Sequence, residues 1–318
     1  MSSAAISCDL VIWLDGRPVG RELVGGKGAS LSRLTALGAP VPPAFALSTH
    51  AYDLMAEATG LPRRASDVED CDLPALRAVI EASPLPTLVL DALSEAFAAL
   101  NDRAGGEIAV AVRSSATAED SGEYSFAGLH DTVLDVRTFD GLEAAVKRSW
   151  ASLWTERAVA YRRQGSLATD EAAIAVVIQQ MVRSDVSFVA FTADPVSGRS
   201  DHVLINAAWG LGEALVSGTV TPDSITVSHS GAVSEYRVGE KAEMVIPRSS
   251  GGTQAVPVPR ALRIVPALEH DQAEAIAAMA RGLAGNLGYP ADLEGGLIGG
   301  EIMLFQARPI TTLGGIAA

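Results

Sequence analysis

The hydrophobic pattern of this chain changes its period near residue 174, and that change limits the folds open to it. Before this point apolar residues recur at helical spacing, as in 87–100 and 140–163. Beyond it short strand-like runs dominate, and the longest helical stretch is at about 270–284. This arrangement predicts a mixed α/β (α+β) fold whose second half is richer in sheet.

The predicted elements are mostly short. A helix is expected to begin in the glycine-rich stretch 24–31 and to stop at Gly38, and Asp140 is expected to cap the long helix that Gly165 ends. The runs predicted as strands are 10–13, 44–48, 108–112, 174–181, 187–193, 202–207, 224–228, 233–238 and 242–246, followed by two near the C-terminus. A length of 318 residues suggests about two domains, or one two-lobed unit.

Composition excludes several classes of partner. The chain has 24 basic and 38 acidic residues, a net charge of −14, so nucleic acid is not an expected partner. It contains no apolar run of about 18 residues and no signal-like N-terminus, so we expect no membrane span and a cytoplasmic location. Cys8 and Cys71 form no CxxC motif, which argues against a zinc site or a disulfide framework.

The first candidate site is the sequence GGKG at 25–28, where a helix is predicted to start. Backbone amides at a helix N-terminus can receive phosphate oxygens, and Lys27, one of only three lysines, adds a positive charge. The stretch is not a P-loop, because Arg21 and Gly28 stand where that motif needs glycine and Ser/Thr. These residues fit either a phosphate site or a flexible turn with a solvated lysine.

A second concentration of polar groups is AVRSSATAEDSGEYSFAG at 111–128. A buried strand that ends in Arg113 and two serines, followed by a threonine and an acidic pair, suits an anion or a magnesium nucleotide. The alternative is a polar turn whose hydroxyls cap backbone groups. A third stretch, GLGEALVSGTVTPDSI at 210–225, fails the dinucleotide fingerprint at Leu215 and fits a structural loop equally well.

The fourth candidate is a predicted hairpin near the C-terminus. Strand alternation puts Gln306 and Arg308, together with Ile302 and Leu304, on one face, and pairing across the glycine turn brings Glu294 opposite Gln306. Carboxylate and amide oxygens suit Mg²⁺, and the arginine fork suits a phosphate. An exposed sheet face carrying an ion pair is the alternative.

Six sequence motifs occur along the chain in this order: VGGKGASL, VRSSATAED, SFAGLHDTVLDV, VVIQQMV, GLGEALVSGTVTPD and LFQARPIT. From about residue 20 to 312 they resemble the ATP-binding domain of the phosphoenolpyruvate synthase, pyruvate phosphate dikinase and rifampin phosphotransferase superfamily. The resemblance implies an ATP-grasp-like fold, with two lobes closing on a nucleotide cleft. An N-terminal lobe over 1–175 would carry the glycine-rich phosphate loops, and a C-terminal lobe over 176–318 the metal and phosphate site.

The resemblance implies catalytic roles for three cations. Lys27 and Arg113 resemble the phosphate-contacting cations of the family, and Arg308 matches the phosphate-binding arginine of its QARP motif. Together with Mg²⁺, these side chains would stabilise charge on the group that ATP transfers.

Five further residues are implied to bind the Mg-ATP. Gly128 and Thr132 match positions near the triphosphate, and Gln179 resembles a nucleotide-contacting residue. Glu294 and Gln306 match the magnesium-associated pair.

The chain departs from the family pattern in two places. Gly295 follows Glu294 where the family usually carries an aromatic residue, which bears on local packing and on metal affinity. The loop before SFAG reads SGEY at 121–124 instead of the usual sequence.

The expected function is that of an ATP-binding phosphotransferase component. Family enzymes carry a phosphorylated histidine in a TSH-type motif on a swivelling domain, and none of the five histidines has that context (His50, His130, His202, His229 and His270). The implied acceptor is therefore a histidine on a separate protein, which would receive a phosphoryl or pyrophosphoryl group. A stand-alone small-molecule kinase or ligase, and a non-catalytic nucleotide-binding regulatory protein, are the alternatives.

Overall fold

A computed structural model describes residues 10–117, 132–164 and 173–310 of the chain. These residues form two compact units. The described part of the first unit is 10–32, 43–117, 132–164 and 173–181, and that of the second is 33–42 and 182–310.

The first unit contains five strands and six helices within its described residues. The strands are β1 (Val11–Trp13), β2 (Ala44–Leu47), β3 (Val110–Ala116), β4 (Thr132–Val136) and β5 (Ile174–Gln180). The helices are α1 (Arg21–Ala36), α2 (Thr49–Thr59), α3 (Leu73–Ala82), α4 (Thr87–Ala104), α5 (Phe139–Ala151) and α6 (Glu156–Gln164). The strands form one antiparallel sheet in the order β1-β2-β5-β3-β4.

The two faces of this sheet differ sharply in polarity. One face carries Val110 and Val112 of β3 with Ile178 of β5, which are buried in the core with the apolar sides of the surrounding helices. Side chains alternate along a strand, so Arg113 and Ser115 point to the opposite face. The N-terminal half of α1 lies against this polar face, where the Gly28 amide donates to Ser115 Oγ over 3.2 Å.

The second unit is built on a six-stranded antiparallel sheet in the order β13-β12-β6-β7-β8-β9. Its strands are β6 (Val186–Phe191), β7 (His202–Trp209), β8 (Asp223–Ser228), β9 (Val233–Arg237), β12 (Ala291–Ile298) and β13 (Glu301–Pro309). The short hairpin β10 (Glu243–Pro247) and β11 (Thr253–Pro257) and the helices α7 (Glu213–Val216) and α8 (His270–Leu287) complete the unit.

Helix α8 covers one face of the six-stranded sheet. Its apolar residues, among them Ile276 and Leu283, are buried with Phe188, Ile205 and Ile225 of the sheet. A capping box formed by Glu269 and Gln272 begins the helix, and Gly288 in the left-handed region ends it. Residues that alternate with the buried ones therefore line the other face of the sheet.

The segment 210–225 ends in a structural carboxylate. Asp223 is fully buried and accepts hydrogen bonds from the Lys241 ammonium, the Gly239 amide (2.9 Å), the Ala267 amide (2.7 Å) and the Tyr236 hydroxyl (3.1 Å). A buried charge needs such partners, because desolvation without them is very costly. This part of the segment thus holds the second unit together.

Two predictions about the first unit were wrong in detail. The helix predicted over 140–163 is interrupted by a 3₁₀ turn at 152–154. Its N-cap is Thr138, whose hydroxyl accepts from the Gly141 amide over 3.1 Å, and Asp140 lies within the first turn. The cap position falls on the residue whose backbone is still extended, which is Thr138.

No single helix in the described ranges is both long enough and apolar enough to cross a membrane. The pair 70–82 and 87–104 reaches the length and composition of a span only when its two helices are combined across a bend of 63°. Val89, Leu93 and Phe97 of that pair are buried in the core of the first unit.

Candidate functional site

The glycine-rich stretch interrupts helix α1. Gly25 has φ 69° and ψ −178°, so a new helical segment begins after it, with Lys27 in its first turn. A Cβ on Gly25 would lie 2.0 Å from the Ser115 carbonyl oxygen, so only glycine fits both this contact and this backbone conformation. The helix start predicted for 24–31 agrees with this second segment.

Hydrogen bonds join this helix start to the end of β3. Ser115 Oγ donates to the Val24 carbonyl over 2.8 Å and accepts from the Gly28 amide, so one hydroxyl bonds to both sides of the break. Lys27 is largely buried, and its Nζ donates to the Ser114 carbonyl over 2.9 Å. The ammonium group is therefore held beside the strand that carries Arg113.

Three more of the predicted residues share the polar face of the first sheet. Arg113 is paired with Thr132 of β4, and Ala111, two residues earlier, is paired with Gln179 of β5. Directly opposite residues point to the same face, so Arg113, Thr132 and Gln179 lie together. Arg113 and Gln179 are buried and Thr132 is exposed. Gly128 lies outside the described residues.

The polar face of the first sheet concentrates donors for an anion. Lys27 and Arg113 supply two positive charges next to a helix start, where the helix dipole adds a partial positive charge. The Gln179 amide and the Thr132 hydroxyl add neutral hydrogen-bonding groups. The set suits the phosphates of a nucleotide better than it suits apolar packing.

In the second unit, the remaining predicted residues lie on β12 and β13. Glu294 is directly opposite Gln306, as the sequence predicted, and Asp292 is opposite Arg308. The buried Ala291, Leu293 and Ala307 point into the core beneath α8. Glu294, Gln306 and Arg308 therefore share the face that α8 does not cover.

A β-bulge makes this pairing possible, and it corrects one prediction. Ile298 pairs with Glu301 at the turn, and the register shifts by one residue between Glu294 and Gly295. Leu304 consequently points into the core, although simple alternation placed Ile302 and Leu304 on the same face as Gln306 and Arg308. An extra residue in one strand reverses the alternation beyond it.

Asp292 contacts a predicted site residue and was missed in the sequence analysis. Arg308 Nε donates to Asp292 Oδ2 over 2.8 Å, and the aspartate is almost fully buried. A buried acceptor fixes the guanidinium from its Nε side and so sets the direction of its fork. The signal available in the sequence was the i, i−2 spacing of Asp292 from Glu294, which puts both on one face.

The acid, amide and guanidinium on this face of the second unit fit a magnesium phosphate. Mg²⁺ takes oxygen ligands from one or two side chains and fills its other positions with water and phosphate oxygens. Glu294 and Gln306 supply one carboxylate and one amide oxygen at facing positions of neighbouring strands. Arg308, two residues after Gln306 on the same face, adds a guanidinium fork of the kind that suits a phosphate.

Phe188 fills the space beside Gly295, the residue after Glu294. A Cβ on Gly295 would lie 2.4 Å from Cζ of Phe188 and 2.6 Å from the Met303 carbonyl oxygen. The aromatic ring of the neighbouring strand β6 thus covers the glycine that follows Glu294. The family's usual aromatic residue is absent at position 295, but an aromatic ring still packs there.

Comparison with known proteins identifies the family of this chain. The family model for the pyruvate phosphate dikinase AMP/ATP-binding domain matches residues 21–317. A "probable phosphoenolpyruvate synthase" of Methanothermobacter thermautotrophicus is 39% identical over 92% of the chain, and a phosphoenolpyruvate synthase of Pyrococcus furiosus is 36% identical over 92%. A rifampicin phosphotransferase of a Streptomyces species is 41% identical over 91% of the chain.

The chain spans 34–44% of the length of these three relatives. The matched region contains the glycine-rich helix start, the strand that carries Arg113 and the hairpin with Glu294, Gln306 and Arg308. The chain belongs to the pyruvate phosphate dikinase AMP/ATP-binding domain family.

Proposed function

We propose that this protein binds Mg-ATP and acts as a phosphotransferase component that passes a phosphoryl or pyrophosphoryl group to an acceptor. The observation that carries the proposal is the facing pair Glu294 and Gln306 with Arg308 on the same face. Family membership supports ATP as the nucleotide. The ATP-grasp-like arrangement, with lobes over 1–175 and 176–318 that contact one nucleotide, is part of this proposal.

The roles of the side chains follow from their chemistry. Lys27, Arg113 and Arg308 would bind the phosphates and stabilise the charge that spreads over the transferring group. Glu294 and Gln306 would hold the magnesium ion, and Gln179 and Thr132 would orient the nucleotide. A bound Mg²⁺ supplies charge neutralisation at the phosphate oxygens. Catalysis would come mainly from positioning and electrostatics.

The proposed acceptor is a histidine on a separate swivel-domain protein. Its support is that none of the five histidines of this chain lies in the sequence context of the family's phosphohistidine.

Label transfer tests this function directly. The full chain is incubated with ATP labelled at the β or γ phosphate, with Mg²⁺ and with candidate acceptor proteins encoded beside its gene. We expect label on the partner's histidine, with ADP released if a phosphoryl group moves and AMP in a dikinase reaction. Glu294→Gln should abolish the transfer, and Glu301→Gln, an exposed glutamate on the same hairpin, should not. Absence of transfer to every partner and small molecule would contradict the proposal.

A small-molecule acceptor is the second candidate. It is favoured by two relatives, at 41% and 40% identity, that are named rifampicin phosphotransferase. ATP turnover that a rifamycin or another metabolite stimulates without any partner protein would select it. A non-catalytic regulatory role would instead show as ATP protection against thermal unfolding with no turnover under any of these conditions.

A further inference from the structure

Asp135 has an unusual backbone conformation close to the phosphate-binding face of the first unit. Its φ is 56°, the only positive φ of a residue other than glycine in the described ranges. Few residue types adopt this left-handed conformation, and aspartate and asparagine tolerate it best among those with a side chain. The residue is buried inside β4, three positions after Thr132.

The conformation coincides with a bulge between β3 and β4. Val136 pairs with Val110, whereas Val133 pairs with Val112, so three steps along β4 correspond to two along β3. Val133 and Val136 both contact the core, although residues three apart in a regular strand point to opposite faces. The extra residue in β4 is what allows both valines to face inward.

The same bulge decides where Thr132 points. With it, Thr132 is paired with Arg113 and shares the polar face. A regular β4 in register with Val136 and Val110 would place Val133 opposite Arg113 and turn Thr132 towards the core. The direction of the Thr132 hydroxyl therefore depends on the backbone at Asp135.

Side-chain contacts hold Asp135 in this conformation. Arg137 donates to both carboxylate oxygens, from Nε over 3.1 Å and from Nη2 over 2.6 Å. The Asp135 amide donates to Met181 Sδ over 2.9 Å, and the Met181 amide donates to the Ala109 carbonyl. The bulge is thereby attached to the segment that follows β5.

We propose that Asp135 is a positioning residue of the nucleotide site, whose left-handed backbone turns Thr132 to the face of Arg113. The inference rests on the proposed function, because it assumes that Arg113 and Thr132 contact ATP. Asp135 touches neither the nucleotide nor the metal in this proposal. It acts only through the register of β4.

The test is a double-mutant cycle on ATP affinity, measured by calorimetry on the full chain well below its melting temperature. Thr132→Ala should weaken ATP binding by about tenfold, and Asp135→Val, which disfavours positive φ, should do the same. Combining the two should cost no more than either alone, because Thr132 is already turned away. Asp135→Gly, which accepts positive φ, should keep affinity within about threefold of wild type even if it lowers the melting temperature.

The proposal fails if Asp135→Val binds ATP with wild-type affinity, or if Thr132→Ala does not weaken ATP binding in the wild type. It also fails if Thr132→Ala weakens ATP binding as much in the Asp135→Val protein as in the wild type. Equal losses of ATP affinity in Asp135→Gly and Asp135→Val would contradict it as well. If Asp135→Val does not fold, Asp135→Ala takes its place with the same criteria. Arg113→Ala distinguishes failure of the positioning role from failure of the proposed nucleotide site. If this variant also leaves ATP binding unchanged, the proposed site itself fails. If it weakens ATP binding, only the positioning role of Asp135 is in question.

Discussion

Asp292 and Arg308 occupy facing positions on the last two strands, and the aspartate accepts the Nε–H of the arginine over 2.8 Å. The ion pair is partly shielded, with side-chain exposures of 6% and 26%. A guanidinium fixed in this way presents its fork in one direction, which matters for the phosphate-binding role proposed for Arg308.

Asp292 is therefore predicted to act on ATP through Arg308. Asp292→Ala and Arg308→Ala should each weaken ATP binding by about tenfold, and the double variant should be no weaker than Arg308→Ala alone. Isothermal titration with Mg-ATP measures the cycle. Asp201→Ala, which removes the carboxylate of an exposed arginine pair in the same unit, is the control. Additive losses would mean that Asp292 acts independently of Arg308.

Lys27 is predicted to bind phosphate and to be dispensable for the fold. Lys27→Met should weaken ATP binding by about ten- to a hundredfold, because a charged hydrogen bond contributes about 1.5–3 kcal/mol. The matched control is Lys147→Met, which removes a partly buried lysine of α5 that is paired with Glu143. Equal ATP affinity in the two variants would remove Lys27 from the site.

Glu294 is predicted to act through the metal. Glu294→Gln should raise the Mg²⁺ concentration needed for half-maximal ATP binding by about tenfold, because one anionic ligand is lost. Lys27→Met should lower nucleotide affinity without such a shift. Titrations of Mg²⁺ at fixed ATP distinguish the two effects, with Glu301→Gln as the control. A variant with an unchanged Mg²⁺ midpoint would show that Glu294 is not a ligand.

Gly295 is predicted to be intolerant of any side chain. Gly295→Ala should lower the free energy of unfolding by about 1–3 kcal/mol, because its Cβ would overlap the Phe188 ring and the Met303 carbonyl. Phe188→Leu should relieve part of that cost, since a contact with a flexible side chain can relax and one with backbone cannot. Chemical denaturation of the two single variants and the double variant measures the coupling. Fully additive changes would show that the ring does not occupy this space.

Because Tyr52 is buried, we expect the folded protein to lose stability in alkali. Burial raises the pKa of Tyr52 to about 12, from 10.0, and its hydroxyl accepts from Trp154 Nε1 over 3.0 Å. A raised pKa means that the stabilisation is complete below pH 10 and disappears as the pH rises towards 12. The stability advantage of wild type over Tyr52→Phe should shrink by about 2 kcal/mol across this interval. Denaturant titrations at pH 9 and pH 12 measure it, and a constant difference would contradict the shift.

The sequence was most informative where patterning is local. The short strands of the second half and the helix at the glycine-rich stretch could be predicted, because alternation and turn residues act within a few positions. The pairing of Glu294 with Gln306 could also be predicted, since a two-glycine turn joins their strands. The bulge between them could not, and the inward direction of Leu304 was missed with it.

Long-range pairing was harder to predict. Strands β4 and β11 were not predicted, and β4 contains the left-handed residue Asp135 in the middle of a polar stretch. A bulge changes which residues face inward, so the pattern of Thr132–Val136 does not read as a regular strand. Asp292 was missed for a related reason, because its role depends on a partner sixteen residues away.

The carboxylate of Asp223 determines where the length of the second unit can vary between related sequences. Its oxygens accept hydrogen bonds from the amides of Gly239 and Ala267. Both ends of the segment between these two residues are therefore fixed at the same side chain. The intervening residues include the hairpin β10–β11. Lengthening a loop whose ends are already fixed costs little, since closure entropy grows slowly with length. The segment between Gly239 and Ala267 is therefore the part of the second unit where insertions and deletions can accumulate without disturbing the strands that carry Glu294 and Gln306.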